Sequence, residues 1–152
     1  MARSIAMATI VAGTLDILFA IGLSLYRGND PMSMLRFVAS GPIPPAMDWG
    51  GAGSALGLAV HFTLIAIMAW VYARLVLARP AILDQPIQWG VLYGLATYVV
   101  MNWIVVPLRF DAPLPPSPLA IATQLFAHIV LVGIPIALII GRTPRARLVQ
   151  LG

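Results

Sequence analysis

The sequence predicts an all-α protein: a four-helix transmembrane bundle with a short interfacial helix in the first, outer loop. Two observations lead to that class. Of 152 residues, 61% are hydrophobic and 9% charged, where a soluble domain is ~45–50% apolar and ~25% charged. The apolar residues are also collected into four stretches, each long enough to cross ~30 Å of hydrocarbon as a helix, and mean hydropathy is +0.95. No period-two barrel pattern is visible, so helices, which satisfy their own backbone groups, are the form these stretches take in lipid. This composition excludes a soluble enzyme, a disordered tail and a nucleic-acid module. The whole chain, residues 1–152, reads as a single integral-membrane domain.

The spans fall at about residues 4–26, 55–77, 87–108 and 119–140. The first holds Asp16 at its centre, is long enough to span, and lacks a small-x-small cleavage site, so it reads as a retained helix rather than a signal peptide. The third is closed by Pro107, and the fourth contains Pro135. Between the first two spans, Asp30-Pro31 is a helix start and Gly41-Pro42 a stop. The ten residues between them put Ser33, Arg36 and Ser40 on one face, a short helix on the outer membrane surface or tucked against the bundle. The loop at residues 78–86 is short and turn-rich. The loop at residues 109–118 is proline-dense and reads as a stiff strap between the last two spans. Trp49 and Trp89 stand near span ends as interfacial anchors, and Trp70 and Trp103 read as packing or lipid-facing residues.

All nine basic residues are arginine, all five acids are aspartate, and lysine, glutamate and cysteine are absent. With the N-terminus inside, six arginines (Arg3, Arg74, Arg79, Arg142, Arg145, Arg147) lie on the inner side and three (Arg27, Arg36, Arg109) on the outer side. This places both termini in the cytoplasm of a bacterial inner membrane, with the Arg142–Arg147 tail against anionic lipid. Without cysteine there is no disulfide, thiolate nucleophile or iron–sulfur site.

Small residues mark helix contacts. Gly90-x-x-x-Gly94 and Gly133-x-x-x-Ala137-x-x-x-Gly141 lie at the same depth on consecutive antiparallel spans and predict close backbone contact. Gly53-x-x-x-Gly57 offers a similar face to another neighbour.

Ionisable side chains are expensive in hydrocarbon and face the bundle interior. Asp16, His61, Asn102, Gln124 and His128 are therefore the candidate polar centre. By span position, Asp16 and His128 lie near mid-membrane. The other three lie about four to six residues further out, ~6–9 Å at the helical rise. Helical spacing groups Thr9, Gly13, Asp16 and Ala20; Gly57, His61, Met68 and Tyr72; Tyr98, Asn102 and Arg109; and Gln124, His128 and Pro135. Four stripes turned inward make a polar pocket open, if anywhere, to the outer side. Three chemistries fit such a set. Buried Asn, Gln and His can be interhelical hydrogen-bond glue. An aspartate beside a histidine can titrate near neutral pH and relay protons. Histidines on two helices, His61 and His128, can also ligate haem b, although their expected depths differ by ~7 Å. No spacing supports a metal triad, no serine has a paired base, and no glycine loop forms a phosphate cradle.

One family shares this order of features. His61-Phe62 through Tyr72, then Pro80, Trp89-Gly90, Gly94, Pro107, and Phe126-Ala127-His128 followed by Arg142, resembles the YagU-like family of uncharacterised bacterial inner-membrane proteins over the last 90 or so residues. Ala127 stands where that family has glycine, and the proline-rich segment lies in a different loop. The resemblance implies an inner-membrane protein loosely linked to acid tolerance, without an established reaction, in which His61 and His128 are the positions that carry over. The resulting expectation is a small non-enzymatic membrane protein without a cofactor: an accessory subunit or a proton-linked transport or stress factor, in a homo-oligomer or a larger complex. A haem-binding membrane cytochrome or redox subunit using His61 and His128 is the alternative.

Overall fold

The computed structural model describes residues 1–149, with side chains described through Arg142. Its five helices are α1 (Ala2–Tyr26), α2 (Pro31–Ser40), α3 (Gly50–Ala78), α4 (Pro86–Phe110) and α5 (Pro118–Arg142, with helical turns on to Val149). Short 3-10 turns fill Pro44–Asp48 and Pro80–Asp84, and no strand occurs among the described residues. α1, α3, α4 and α5 are each long and apolar enough to cross a membrane. Large apolar side chains cover their outward faces, among them Leu18, Trp70, Leu92 and Leu119. A lipid-facing bundle carries such a surface, whereas a soluble monomer rarely exposes one this large. The tail residues Arg145 and Arg147 lie outside the described side chains.

Local chemistry sets the helix ends. Proline stands at the first position of α2, α4 and α5, where its missing N–H leaves no bond unmade. Ser117 caps α5 by accepting from Ala120 N at 3.2 Å. α1 ends where Gly28 takes φ +73°, a conformation an L side chain resists, and Asn29 N–H closes back onto Ser24 O at 2.9 Å. Asp30 caps α2, its carboxylate accepting from Met32 N and Ser33 N, both at 3.0 Å. The Met32 bond first, then the Ser33 hydroxyl, holds the Asp30 carboxyl below the usual carboxylate range. α3 starts at Gly50, a turn earlier than its apolar stretch, because the preceding 3-10 turn hands the chain directly into the helix.

The main deviation from the sequence reading is at Pro107. It does not close α4, which runs on to Phe110. A proline inside an α-helix clashes with the carbonyl four residues back and removes a hydrogen bond. Here a π-turn at Val100–Val105 precedes it and widens the helix. Pro135 has the same arrangement, with a π-turn at Ala127–Gly133 ahead of it.

α1 packs on α3 and α5, α4 packs on α5, and α2 packs on α3. The starts of α1 and α4 and the ends of α3 and α5 share one core at the end that carries both termini. Ala8, Ala12, Ala69, Tyr72, Val76, Ile136 and Ile140 fill it. The glycine faces of α4 and α5 meet as expected. A Cβ on Gly133 would sit 2.8 Å from Gly94 N and Cα, and nearer still to Gly90 O, while one on Gly94 would meet Ile129 Cα at 2.6 Å. Gly141 instead faces Leu83 at an ordinary distance. Gly53 and Gly57 serve the short helix rather than a span: Gly57 lies against the Leu35 backbone of α2 and Gly53 against Ala46 O. α2 is therefore tucked onto the bundle, and Ser54 Oγ donates to Met32 O at 3.0 Å.

Two outcomes follow. Gly133→Ala should destabilise the bundle by on the order of 1–3 kcal/mol through overpacking, whereas Gly22→Ala, with nothing within 4 Å, should be neutral or stabilising; equal melting of the two variants in detergent would contradict this packing. The Asp30 carboxyl is depressed on folding, so its contribution to α2 is complete above the ordinary carboxylate range and is lost as pH falls through the lowered value. Protection of the α2 amides, corrected for intrinsic exchange, should fall in acid in the native chain and be low already at neutral pH in Asp30→Ala.

Candidate functional site

Packed at the termini end, the spans separate toward the end that carries α2 and enclose a cavity of about 1240 Å³. α2 roofs it with Ser33, Met34, Phe37 and Val38. Its walls are largely apolar, including Leu23, Leu64, Met68, Met101 and Val105, and all five candidate polar residues line it: Asp16, His61, Asn102, Gln124 and His128.

Three of the five share one depth. Counted from the observed helix ends, Asp16, His61 and His128 each lie two or three residues from the middle of their span, on the α2 side. The layer separation expected for His61 came from starting its span at residue 55. With α3 beginning at Gly50, the offset disappears, and His61 Nδ1 lies 3.8 Å from Asp16 Oδ2.

A glycine makes that approach possible. His61 Nε2 donates to Gly13 O at 2.9 Å, in the buried α1–α3 contact. A Cβ on Gly13 would fall 2.6 Å from the Phe62 ring, which also stands edge-on to the imidazole. A carbonyl oxygen only accepts, so the proton of neutral His61 is on Nε2 and the Nδ1 lone pair faces Asp16. A lone pair and a carboxylate repel each other. One shared proton, on the carboxyl or on Nδ1, would relieve that repulsion and leave the pair without net charge.

His128 stands in the second π-turn with the opposite tautomer. Its Nδ1 donates to Gln124 O at 3.0 Å, which leaves Nε2 as an acceptor. Its ring lies edge-on to Tyr98 at 6.1 Å, and Asp16 interacts electrostatically with both imidazoles. Asn102, in the first π-turn, donates from Nδ2 to Tyr98 O at 3.3 Å, while Trp103 Nε1 donates to Tyr98 Oη at 3.1 Å. Among the described residues, the Gln124 amide, His128 Nε2 and the Asp16 carboxyl have no hydrogen-bond partner, yet no side-chain polar atom is fully buried without one. These groups therefore face the open space of the cavity. No three potential metal ligands come together among the described residues. For haem, His61 and His128 now match in depth, but His61 Nε2, the usual ligating nitrogen, is bound to Gly13 O.

Sequence reasoning missed two parts of the site. Arg109 was counted toward topology and placed on the Tyr98–Asn102 stripe, but its bond to α2 was not foreseen. Its guanidinium donates from Nη2 to Ser40 O at 2.6 Å and from Nε to Gly41 O, satisfying the last carbonyls of α2, and Phe110 stacks on Phe37 at 4.3 Å between ring centres. Together they fasten the roof to α4. The π-turns that carry Asn102 and His128 were also missed. Their signal was the pair of prolines inside apolar spans, each seven or eight residues beyond the start of its turn.

No protein-family model, curated protein or solved structure matches the chain.

The hydrogen bonds assign the two neutral imidazoles to different tautomers, His61 protonated on Nε2 and His128 on Nδ1. Nitrogen-15 NMR of ring-labelled protein should resolve both forms above the histidine titration range. Two identical tautomers would show that the ring contacts differ from those described.

Proposed function

We propose that this chain is a small, non-enzymatic, multi-pass membrane protein that couples proton uptake at Asp16–His61 to events in the cavity next to the pair, as a proton-linked transport or stress factor or as the proton-handling accessory subunit of a larger complex. The observation that carries this reading is the His61 ring, held by Gly13 O with its second nitrogen 3.8 Å from the Asp16 carboxylate. Charge inside a bilayer is costly; moving the proton between Nδ1 and the carboxyl leaves the pair's net charge at zero, so charge changes only in the step of uptake or release. His128 Nε2 and the Gln124 amide provide further groups through which a proton passes to water or ligand.

The termini half of the bundle is filled by Tyr72, Val76, Ile136 and Ile140. The cavity thus serves one side, and crossing the membrane requires the packed half to open or a second chain to complete the route. That supports assignment to a homo-oligomer or a larger membrane complex. Six arginines against three support a reading with both termini in the cytoplasm of a bacterial inner membrane, as the YagU-like resemblance would also have it. The haem alternative is weaker, because binding iron through His61 Nε2 would break the Gly13 bond.

The test is pH-driven proton flux in liposomes. Native protein should conduct, and Asp16→Asn and His61→Gln should each lower flux by at least about tenfold, a change of ~1.4 kcal/mol. Glutamine at position 61 retains a donor for Gly13 O but cannot titrate. Equal flux in native and variant proteins, or none in any, reduces these residues to interhelical glue. A Soret band that disappears in His128→Ala would move the assignment to a haem protein.

A further inference from the structure

We infer that the cavity takes a neutral lipid-borne amphiphile, whose head carries hydroxyl groups, with or without a carbonyl oxygen, and which enters from the bilayer between α3 and α4. This inference rests on the proposed neutral Asp16–His61 pair and names the class of molecule that the same site receives.

The route is a gap in the wall. α3 and α4 do not pack along their length among the described residues. Side chains bridge them instead, Tyr93 Oη donating to Met68 O at 2.7 Å and the Tyr72 and Tyr93 rings meeting edge to face. Toward the α2 end, exposed residues of both helices line the cavity, notably Thr63 on α3 and Val105 on α4. A slot between two lipid-facing helices at membrane depth admits molecules from the acyl phase.

The floor sets the head. The Gln124 amide both donates and accepts, neutral His128 Nε2 accepts, and the Asp16–His61 pair does either according to where its proton sits. That set bonds hydroxyl and carbonyl oxygens. Arg27, Asp30 and Arg109 line the cavity at its α2 end, where the Arg109 guanidinium is already bonded to Ser40 O and Gly41 O; at the floor a pair sharing one proton presents no net charge to an anionic head, and a desolvated carboxylate beside Asp16 would be repelled. The walls above, Leu64, Met68 and Met101, suit hydrocarbon. A monoacylglycerol and a short-chain quinol share this head chemistry.

The experiment is equilibrium binding to the full chain in detergent micelles, with decanoylglycerol, decylubiquinol and decanoate as probes. At least one neutral probe should bind saturably and decanoate should not. The affinity of that neutral probe should fall about three- to tenfold in Gln124→Leu, the loss of one hydrogen bond, and at least as much in Val105→Trp, which narrows the slot from the lipid side. Binding by decylubiquinol alone, or by decanoylglycerol alone, identifies the source of the head. Preferential binding of decanoate, absence of saturable binding, or affinities unchanged in both variants overturns the inference. Neither variant touches Asp16 or His61, so a failure here leaves the proton-flux result standing, and a failure of proton flux leaves the selectivity among probes to be read separately.

Discussion

The hydrogen bond from His61 to the Gly13 carbonyl is the contact on which the site depends. It draws α3 onto α1 where glycine has no side chain to obstruct Phe62, fixes the tautomer of the ring, and turns the second nitrogen toward Asp16. In water such a bond would be one of many with a small net value. Between two packed membrane helices, in a low local dielectric, it carries more weight and fixes which ring nitrogen faces the aspartate. The proposed one-proton pair and the proposed neutral ligand are both argued from that geometry.

The bundle around it is asymmetric along the membrane normal. At the termini end, glycine and alanine bring α4 against α5 and α1 against α3 and α5, leaving only a small cavity of about 130 Å³ beside Leu83 and Gly141. At the other end the helices separate, and α2 closes the space as a roof, seated on α3 through Gly53 and Gly57 and fastened to α4 through Arg109 and Phe110. The prolines of α4 and α5 contribute through the π-turns ahead of them. A π-turn interrupts the four-residue hydrogen-bond register and often marks a functional segment of a membrane helix. Here the two turns hold Asn102 and His128.

Much of this was legible in the sequence, and its limits have physical causes. The four spans follow from hydrophobic length, and α2 from Asp30-Pro31 and Gly41-Pro42, because capping is local chemistry. The α4–α5 contact follows from glycines at matching depth. What could not be read was any quantity that depends on where a helix really begins. Placing the start of the second span at its apolar edge set His61 several ångströms above Asp16, when a 3-10 turn upstream lets α3 start earlier and brings them level. Pro107 looked like a helix end, since the sequence does not show that a π-turn absorbs it. The role of Gly53-x-x-x-Gly57 as a seat for α2 needed the fold, because a small-residue pattern says that something approaches closely and not what.

Solid-state NMR of the protein in bilayers, with nitrogen-15 histidine and carbonyl-labelled glycine, addresses the central contact directly. The account predicts a through-space correlation between His61 Nε2 and the Gly13 carbonyl carbon, retained when Asp16 is changed to Asn. A His61 ring that correlates only with its own helix or with lipid acyl chains would contradict it.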